Sequence, residues 1–368
     1  MSKVKLCVVL ITILFNMIWH CQPLFAQNQD KIEPVSQIIF KRNSDSPFIA
    51  KTAGTFHSVL VANPAVTEFK KNLYFIFRGQ DEGGHDQIGM WTTPQSKADG
   101  INWKNHYKEP IIAISKDTLA PDNNHILDPA ALVKQDSLFV YYTAKSTHSK
   151  PEYSICLSVS VDGHKFNKSP ANPIIKRVIA PEVISYNGLI YIFYQRLNPE
   201  GFWEVFVSTS KNGIDFDLAN ERRVFGPTRI DGTFDSFSIA TIRIFKEDDY
   251  FYMTYAACTR YVDYPESIGL ARSTNLLDWE RYQGNPIFTR GKEGTWDEGA
   301  LWFPTVRKIE GKYLMYYEGA GTGLGNRNEK AKKASKIARE QDYGGYLSTS
   351  YSQIGLSVFN GSFSELFK

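Results

Sequence analysis

The sequence predicts an all-β chain built as a five-bladed β-propeller, and three observations predict it. One short strand pattern returns five times, strands of the same order flank every copy, and Phe, Trp and Tyr make up 14% of the 368 residues. The copies are YFIFRG (74–79), FVYYTA (139–144), YIFYQR (191–196), FYMTYA (251–256) and YLMYYE (313–318), at intervals of 65, 52, 60 and 62 residues. Before each comes an apolar stretch and a polar turn, such as PEVISYNG or FPTVRKIEGK. After each comes a third strand: IGMWTT, ICLSVS, VFVSTS, IGLARS and IGLSVF. Three of these run on into the turns VDGHKF, KNGIDF and TNLLDW. Short runs of β-branched and aromatic residues punctuated by Gly, Asn and Asp read as strands. Radial repetition of units of three or four strands makes a propeller. A β-sandwich does not account for a repeat with one internal order of strands.

Taken from the N-terminus, the chain opens with two lysines, the apolar run LCVVLITILFNMIW and then PLFAQ. Basic start, short apolar core and small residue form a secretory signal over residues 1–26, cut after Ala26. The run is shorter than a membrane span, which needs about 20 apolar residues. A lipid anchor at Cys21 is the rival, disfavoured by the bulky His20 before it. The expected product is secreted or periplasmic, and residues 27–368 form the propeller domain. Losing residues 1–26 takes away two lysines and no acids, so the formal charge falls from +3 to +1. That balance gives no reason to expect nucleic acid or an anionic membrane as partner. Of the four cysteines, Cys156 and Cys258 remain, both in apolar runs, with neither a disulfide framework nor metal-ligand spacing. A basic, helix-prone segment at 325–345 interrupts the fifth unit; it reads as a solvated surface helix or as a lid favouring an anionic glycan.

Each repeat has a leader just before it. These leaders are FHSVLVANP (56–64), NNHILDP (123–129), IAPE (179–182), FDSFSIAT (234–241) and WDEGALWFP (296–304). The last sets the adjacent acids Asp297 and Glu298 beside Trp296 and Trp302. Aromatic burial and neighbouring like charge raise a carboxyl pKa, and aromatic faces suit a sugar ring. Each acid also has a plainer reading. Asp297 and Asp235 can cap strand amides, Asp128 can start an Asp-Pro turn, and Glu182 can be salt-bridged.

The repeats and leaders resemble the five-bladed propeller glycoside hydrolases, a group that includes families 43, 32, 117 and 130. Family 43 shows, in order, a DP blade, an APE-type blade, an ID blade, an EG blade and a histidine-bearing blade. LDPAALV, IAPEVIS, FDSFSIA, WDEGALW and FHSVLVANP fit that order if the ring is entered one blade earlier. The resemblance implies Asp128 as general base, Asp235 as the residue that tunes and orients, Glu298 as general acid and His57 as the central histidine. It implies hydrolysis of a glycosidic bond in plant or algal oligo- or polysaccharide by inversion. Asn63, His125, Glu182, Trp296, Asp297 and Trp302 are then expected to contact sugar. No organic cofactor is implied and no metal ligand set is expected, although His57 and His125 can hold a central water or a cation such as Ca2+. The family 32 register places its nucleophile at Asn63, which cannot serve as one. A family 130-like phosphorylase would need basic residues for phosphate, for which Arg78, Arg196 and Arg243 are candidates. From another class, a non-catalytic carbohydrate-binding propeller is the alternative; it has no need for Asp128, Asp235 and Glu298 together.

Overall fold

The second strand of each unit is a largely apolar run, and a short run of that kind bounded by turn residues suits a strand covered on both faces. Leu73 to Gly79 within Asn72–Gln80, and Phe251 to Cys258 within Tyr250–Cys258, are buried throughout. A computed structural model of the chain describes residues 38–147, 153–260, 262–321 and 352–368. The expected leader peptide and the basic segment 325–345 lie outside the described residues. The described chain is almost all β, with one short helix at Phe363–Leu366 and two single 3-10 turns.

Each repeat forms an antiparallel meander. Unit 1 comprises Leu60–Phe69, Asn72–Gln80, Asp86–Pro94 and Asn105–His106. Unit 2 runs His125–Lys134, Ser137–Lys145, Tyr153–Ser160 and Asn167–Lys168. Unit 3 is Ile179–Tyr186, Leu189–Leu197, Trp203–Ser210 and Arg222–Phe225. Unit 4 is Ser238–Glu247, Tyr250–Cys258, Ser267–Ser273 and Glu280–Arg281. In unit 5, Ala300–Ile309, Lys312–Ala320 and Ser352–Phe359 take their outer strand, Lys41–Arg42, from the beginning of the described chain. Units 1 and 2 share one sheet through a single parallel pairing, Asp86 with His125. In units 1, 3 and 5 the first and second strands are joined by tight turns whose central residues both have positive φ, Lys70-Lys71, Asn187-Gly188 and Glu310-Gly311. That geometry matches the twist of a hairpin. Two asparagines that precede prolines have a structural use: the Asn172 side chain pairs with both backbone groups of Leu157, and Asn285 does the same for Leu270.

The core is divided into wedges between successive sheets. Tyr74 and Ile88 of unit 1 meet Val140 and Cys156 of unit 2. Tyr141 and Leu157 meet Ile192 and Tyr194 of unit 3, and Phe193 and Val205 meet Met253 and Tyr255 of unit 4. Tyr252 and Leu270 meet Tyr313 and Met315 of unit 5. Tyr316 and Leu356 of unit 5 then meet Phe75 and Phe77 of unit 1. Cys156 and Cys258 are buried thiols, and Cys258 Sγ donates to the Val262 carbonyl.

Each first strand carries a bulge, and four bulges have the form X-Pro: Asn63-Pro64, Asp128-Pro129, Ala180-Pro181 and Phe303-Pro304. The X residues have φ of 50, 52, 52 and 49°. Unit 4 bulges by one residue at Ala240. Proline cannot donate to a ladder and is tolerated at a bulge, where the extra residue is turned out of the pairing. A side chain or backbone group of each unit bonds the bulge region of the next. Asn63 Oδ1 accepts the Asp128 amide, Thr143 Oγ1 the Ala180 amide and Thr241 Oγ1 the Phe303 amide. Gln195 Nε2 donates to the Ile239 carbonyl, and Glu318 accepts the Asn63 amide, joining unit 5 to unit 1. At the level of the prolines sits one buried guanidinium, Arg243. It donates to the carbonyls of Pro64, Pro129 and Pro181, to Thr305 Oγ1 and to Glu182, and lies over the Phe303 ring.

Candidate active site

The bulges turn Asn63 and Asp128 into a cavity of about 80 Å³, which Ala180, Ala240 and Phe303 also line. The second strands supply the rest of its wall. Opposite the bulges, Arg78 pairs with Ala62, Thr143 with Leu127, Gln195 with Ile179 and Glu318 with Trp302. Of these, Arg78, Gln195 and Glu318 line the cavity, as does Trp302. The Trp302 indole donates to Asp263 Oδ1 at 2.7 Å.

Three carboxyls line this space, Asp128, Glu318 and the exposed Asp263, and burial acts on the first two. Asp128 has its pKa raised by desolvation; the Thr143 hydroxyl and the Arg78 and Arg243 charges oppose the rise. Glu318 is 2% exposed. Desolvation pushes its pKa up from 4.5 to about 7, with the Asp128 charge adding to the rise and Arg78, Ser352 and the Asn63 amide opposing it. Its Oε2 accepts the Asn63 amide at 3.2 Å and Asn63 Nδ2 at 2.8 Å, while Ser352 Oγ donates to Oε1 at 2.6 Å. Asn63 thus ties the Glu318 carboxyl to the backbone of Asp128, whose amide donates to its Oδ1 at 3.3 Å. Arg78 is anchored from behind: its Nε donates to Asp86 Oδ1, and His125 Nδ1 bonds Asp86 Oδ2, both at 2.6 Å. Burial alone would raise Asp86, but Arg78 and His125 outweigh it and hold its pKa below the usual value.

Other expected site residues are placed elsewhere. Asp235 is 1% exposed and sits inside unit 4, where Oδ2 accepts Arg281 Nε at 2.8 Å and the Tyr255 hydroxyl at 3.2 Å. Asp297 repeats this in unit 5 with Arg42 at 2.8 Å and Tyr317 at 2.9 Å. Asp122 repeats it in unit 2 with Lys168 at 2.7 Å and Tyr142 at 2.8 Å. In all three the tyrosine follows the aspartate by 20 residues. One triad built three times is a device of the repeat: it fixes the leader loop to the second strand and the outer strand. For unit 5 the cation arrives on the strand contributed by the beginning of the described chain. Unit 1 holds an apolar version, with His57 in the aspartate's place and Phe77 in the tyrosine's, their ring centroids 5.7 Å apart. Burial lowers the His57 pKa, so the ring is neutral at pH 7, and its Nδ1 has no partner among the described residues. His57 is thus a wedge residue, apart from His125.

Glu298 does not line the cavity either. It lies in the same leader loop, and a carboxylate oxygen accepts the Gly294 amide at 2.5 Å. The loop presses so closely on the second strand that a Cβ at Gly319 would stand 2.7 Å from Asp297 Cβ. Trp296 stacks on Tyr317, with centroids 5.8 Å apart and planes at 18°, and belongs to the wedge packing. Glu182 is committed to Arg243 at 3.0 Å and to the Ile244 amide at 3.0 Å, and it lines a different cavity. Of the residues singled out in the sequence, the structure brings Asn63, Asp128 and Trp302 together, with His125 behind Arg78. It adds Glu318, which the sequence reading missed.

No family model matches this sequence, and no curated protein matches it. Solved structures do. An N-acetylgalactosamine deacetylase from F. plautii, in complex with blood group B trisaccharide, is 13% identical with a TM-score of 0.63, covering 89% of this chain and 97% of that one. A glycosyl hydrolase from Bacteroides ovatus is 15% identical with a TM-score of 0.60 over 87% and 93%. A thermostable family-43 glycoside hydrolase is 16% identical with a TM-score of 0.57 over 84% and 92%. The chain shares their fold. In this chain that fold carries a carboxyl pair placed differently from the trio expected from the sequence.

Proposed function

We propose that the chain is an exported glycoside hydrolase on a five-bladed β-propeller, acting on oligo- or polysaccharide at the Asp128 cavity. The observation that carries this reading is that two buried carboxyls, Asp128 and Glu318, line one cavity beside Trp302. The five wedge clusters and the hydrogen bonds from each unit to the next, including the fifth to the first, favour a closed ring of five blades. The leader over residues 1–26, cut after Ala26, accounts for export to the periplasm or medium.

Inverting hydrolysis needs one carboxylate to take a proton from water and one carboxylic acid to protonate the leaving oxygen. Asp128, whose anion Arg78 and Arg243 support, is the base. Glu318, with its pKa raised to about 7, keeps its proton up to neutral pH and is the acid. Trp302 is an apolar wall for the sugar ring, and Asn63 fixes the spacing of the acids. The three arginines considered for phosphate are bound to protein acceptors: Arg78 to Asp86, Arg196 to Glu221 and Arg243 to proline carbonyls. Water is therefore favoured over phosphate as acceptor.

One observation favours the second reading, a carbohydrate-binding propeller without catalysis: Asp235 and Glu298 make bonds within their own units. Incubating residues 27–368 with an oligosaccharide panel separates the two. Release of a new reducing end, abolished by Asp128→Asn, supports hydrolysis, and the anomer first released, read by proton NMR, tests inversion. Saturable sugar binding with no turnover of any panel member would establish the binding module instead.

A further inference from the structure

A larger cavity, about 420 Å³, lies beyond the Arg243 plug, lined by residues that follow the bulges rather than by Asp128 or Glu318. Val66, Val183, Ile244 and Val306 give it apolar walls, and Glu182, Arg243, Arg307, Glu68 and Lys246 give it charge. The first two of those charges are spent. Arg243 donates from Nε, Nη1 and Nη2 to carbonyls and to Glu182, whose other oxygen accepts the Ile244 amide. Arg307 is different. Its Nη2 donates to the Val66 carbonyl, while its Nε is buried with no acceptor among the described residues. The second acid near it, Glu68, accepts the Gln95 side chain. Lys246 stands at the rim and adds positive potential.

A guanidinium presents its donors as a fork that matches two oxygens of one anion. A buried donor without an acceptor is a group that binding can satisfy. We infer that this second cavity binds a small oxyanion, with Arg307 as its anchor, independently of the Asp128 site. The chemistry shared by the candidates is a compact group with two acceptor oxygens on one atom, as in phosphate, sulfate or the carboxylate of a sugar acid.

Isothermal titration of residues 27–368 with inorganic phosphate, sulfate and glucuronate tests this, at constant ionic strength set with sodium chloride. The expected result is saturable binding of at least one oxyanion in wild type and in Asp128→Asn alike. Arg307→Gln should weaken it by about 10-fold or more, the equivalent of one charge-assisted hydrogen bond. Preference for phosphate and sulfate, or for glucuronate, tells which source supplies the oxyanion. If Arg307→Gln does not fold, Arg307→Lys, which keeps the charge and loses the fork, should show the weakening. No saturable binding of any of the three by wild type would overturn the inference, as would wild-type affinity in a folded Arg307→Gln. Binding abolished by Asp128→Asn would place the anion in the other cavity and equally overturn it.

Discussion

Asp235 and Glu318 are both acids buried to within 2% of full burial, yet their surroundings treat them in opposite ways. Asp235 has a guanidinium at 2.8 Å and a tyrosine hydroxyl, all from its own unit. Glu318 has no cation hydrogen-bonded to it among the described residues; Asn63 and Ser352 hold it, and its pKa rises to about 7. Burial of an acid therefore does not mark it as functional. What separates the two is whether the local repeat supplies its counter-charge. An acid matched inside its own unit is part of the scaffold, and one left under-compensated in a shared cavity is poised to exchange a proton.

Changing each side of that contrast gives different readouts. The largest effect is expected for Asp128→Asn. Asn63 occupies the equivalent X-Pro position at φ 50°, so the backbone accepts asparagine there. Loss of general-base help should lower kcat about 10²–10⁴-fold with little change in melting temperature. Near-normal turnover by the folded variant would move the base elsewhere. Asp235→Ala should behave the other way round. Leaving Arg281 without its partner should cost about 3 kcal/mol in chemical denaturation, with kcat per folded molecule kept. A stable variant that loses activity would return Asp235 to the site.

The Glu318 shift also makes stability depend on pH. Its folded pKa, about 7, lies above its ordinary 4.5, so the folded state holds the proton more tightly. This contribution is fully present below pH 4.5 and is lost as pH rises through 7. The loss should reach about 3 kcal/mol at alkaline pH, from roughly 1.4 kcal/mol per pKa unit. Glu318→Gln should flatten that part of the profile, measured by urea unfolding between pH 4.5 and 8. An unchanged slope would mean Glu318 titrates normally. The smallest effect is expected for Trp302→Phe, which deletes the bond to Asp263 and should cost about 1 kcal/mol of stability or less while raising KM more than it lowers kcat.

The strands and their order were legible in the sequence because each second strand is a local apolar run and each tight turn has its own residues. The placement of Asp128 and Asn63 was legible for a related reason: the X-Pro pair recurs at one point of four first strands. The partners of Asp235 were not legible because Arg281 lies 46 residues away and shows no local pattern. The fixed spacing of Asp235 to Tyr255, repeated from Asp297 to Tyr317, was the available signal. Glu318 was missed because it sits in an aromatic strand, YLMYYE, that reads as core. Superposing the second strands would have shown it, since Arg78, Thr143 and Gln195 hold the same position, a polar one in otherwise apolar runs.

In the proposed reaction Glu318 gives its proton to the leaving group. The direct measurement is kcat/KM of Glu318→Gln and Glu298→Gln on two substrates, an unactivated oligosaccharide and an aryl glycoside of the same sugar with a nitrophenol leaving group. A nitrophenolate departs without protonation, so loss of the acid should spare the aryl substrate. Glu318→Gln is expected to lose about 10²–10⁴-fold on the oligosaccharide and far less on the aryl glycoside, with Glu298→Gln close to wild type on both. The reverse pattern, with Glu298→Gln losing the oligosaccharide selectively and Glu318→Gln active on it, would contradict the assignment.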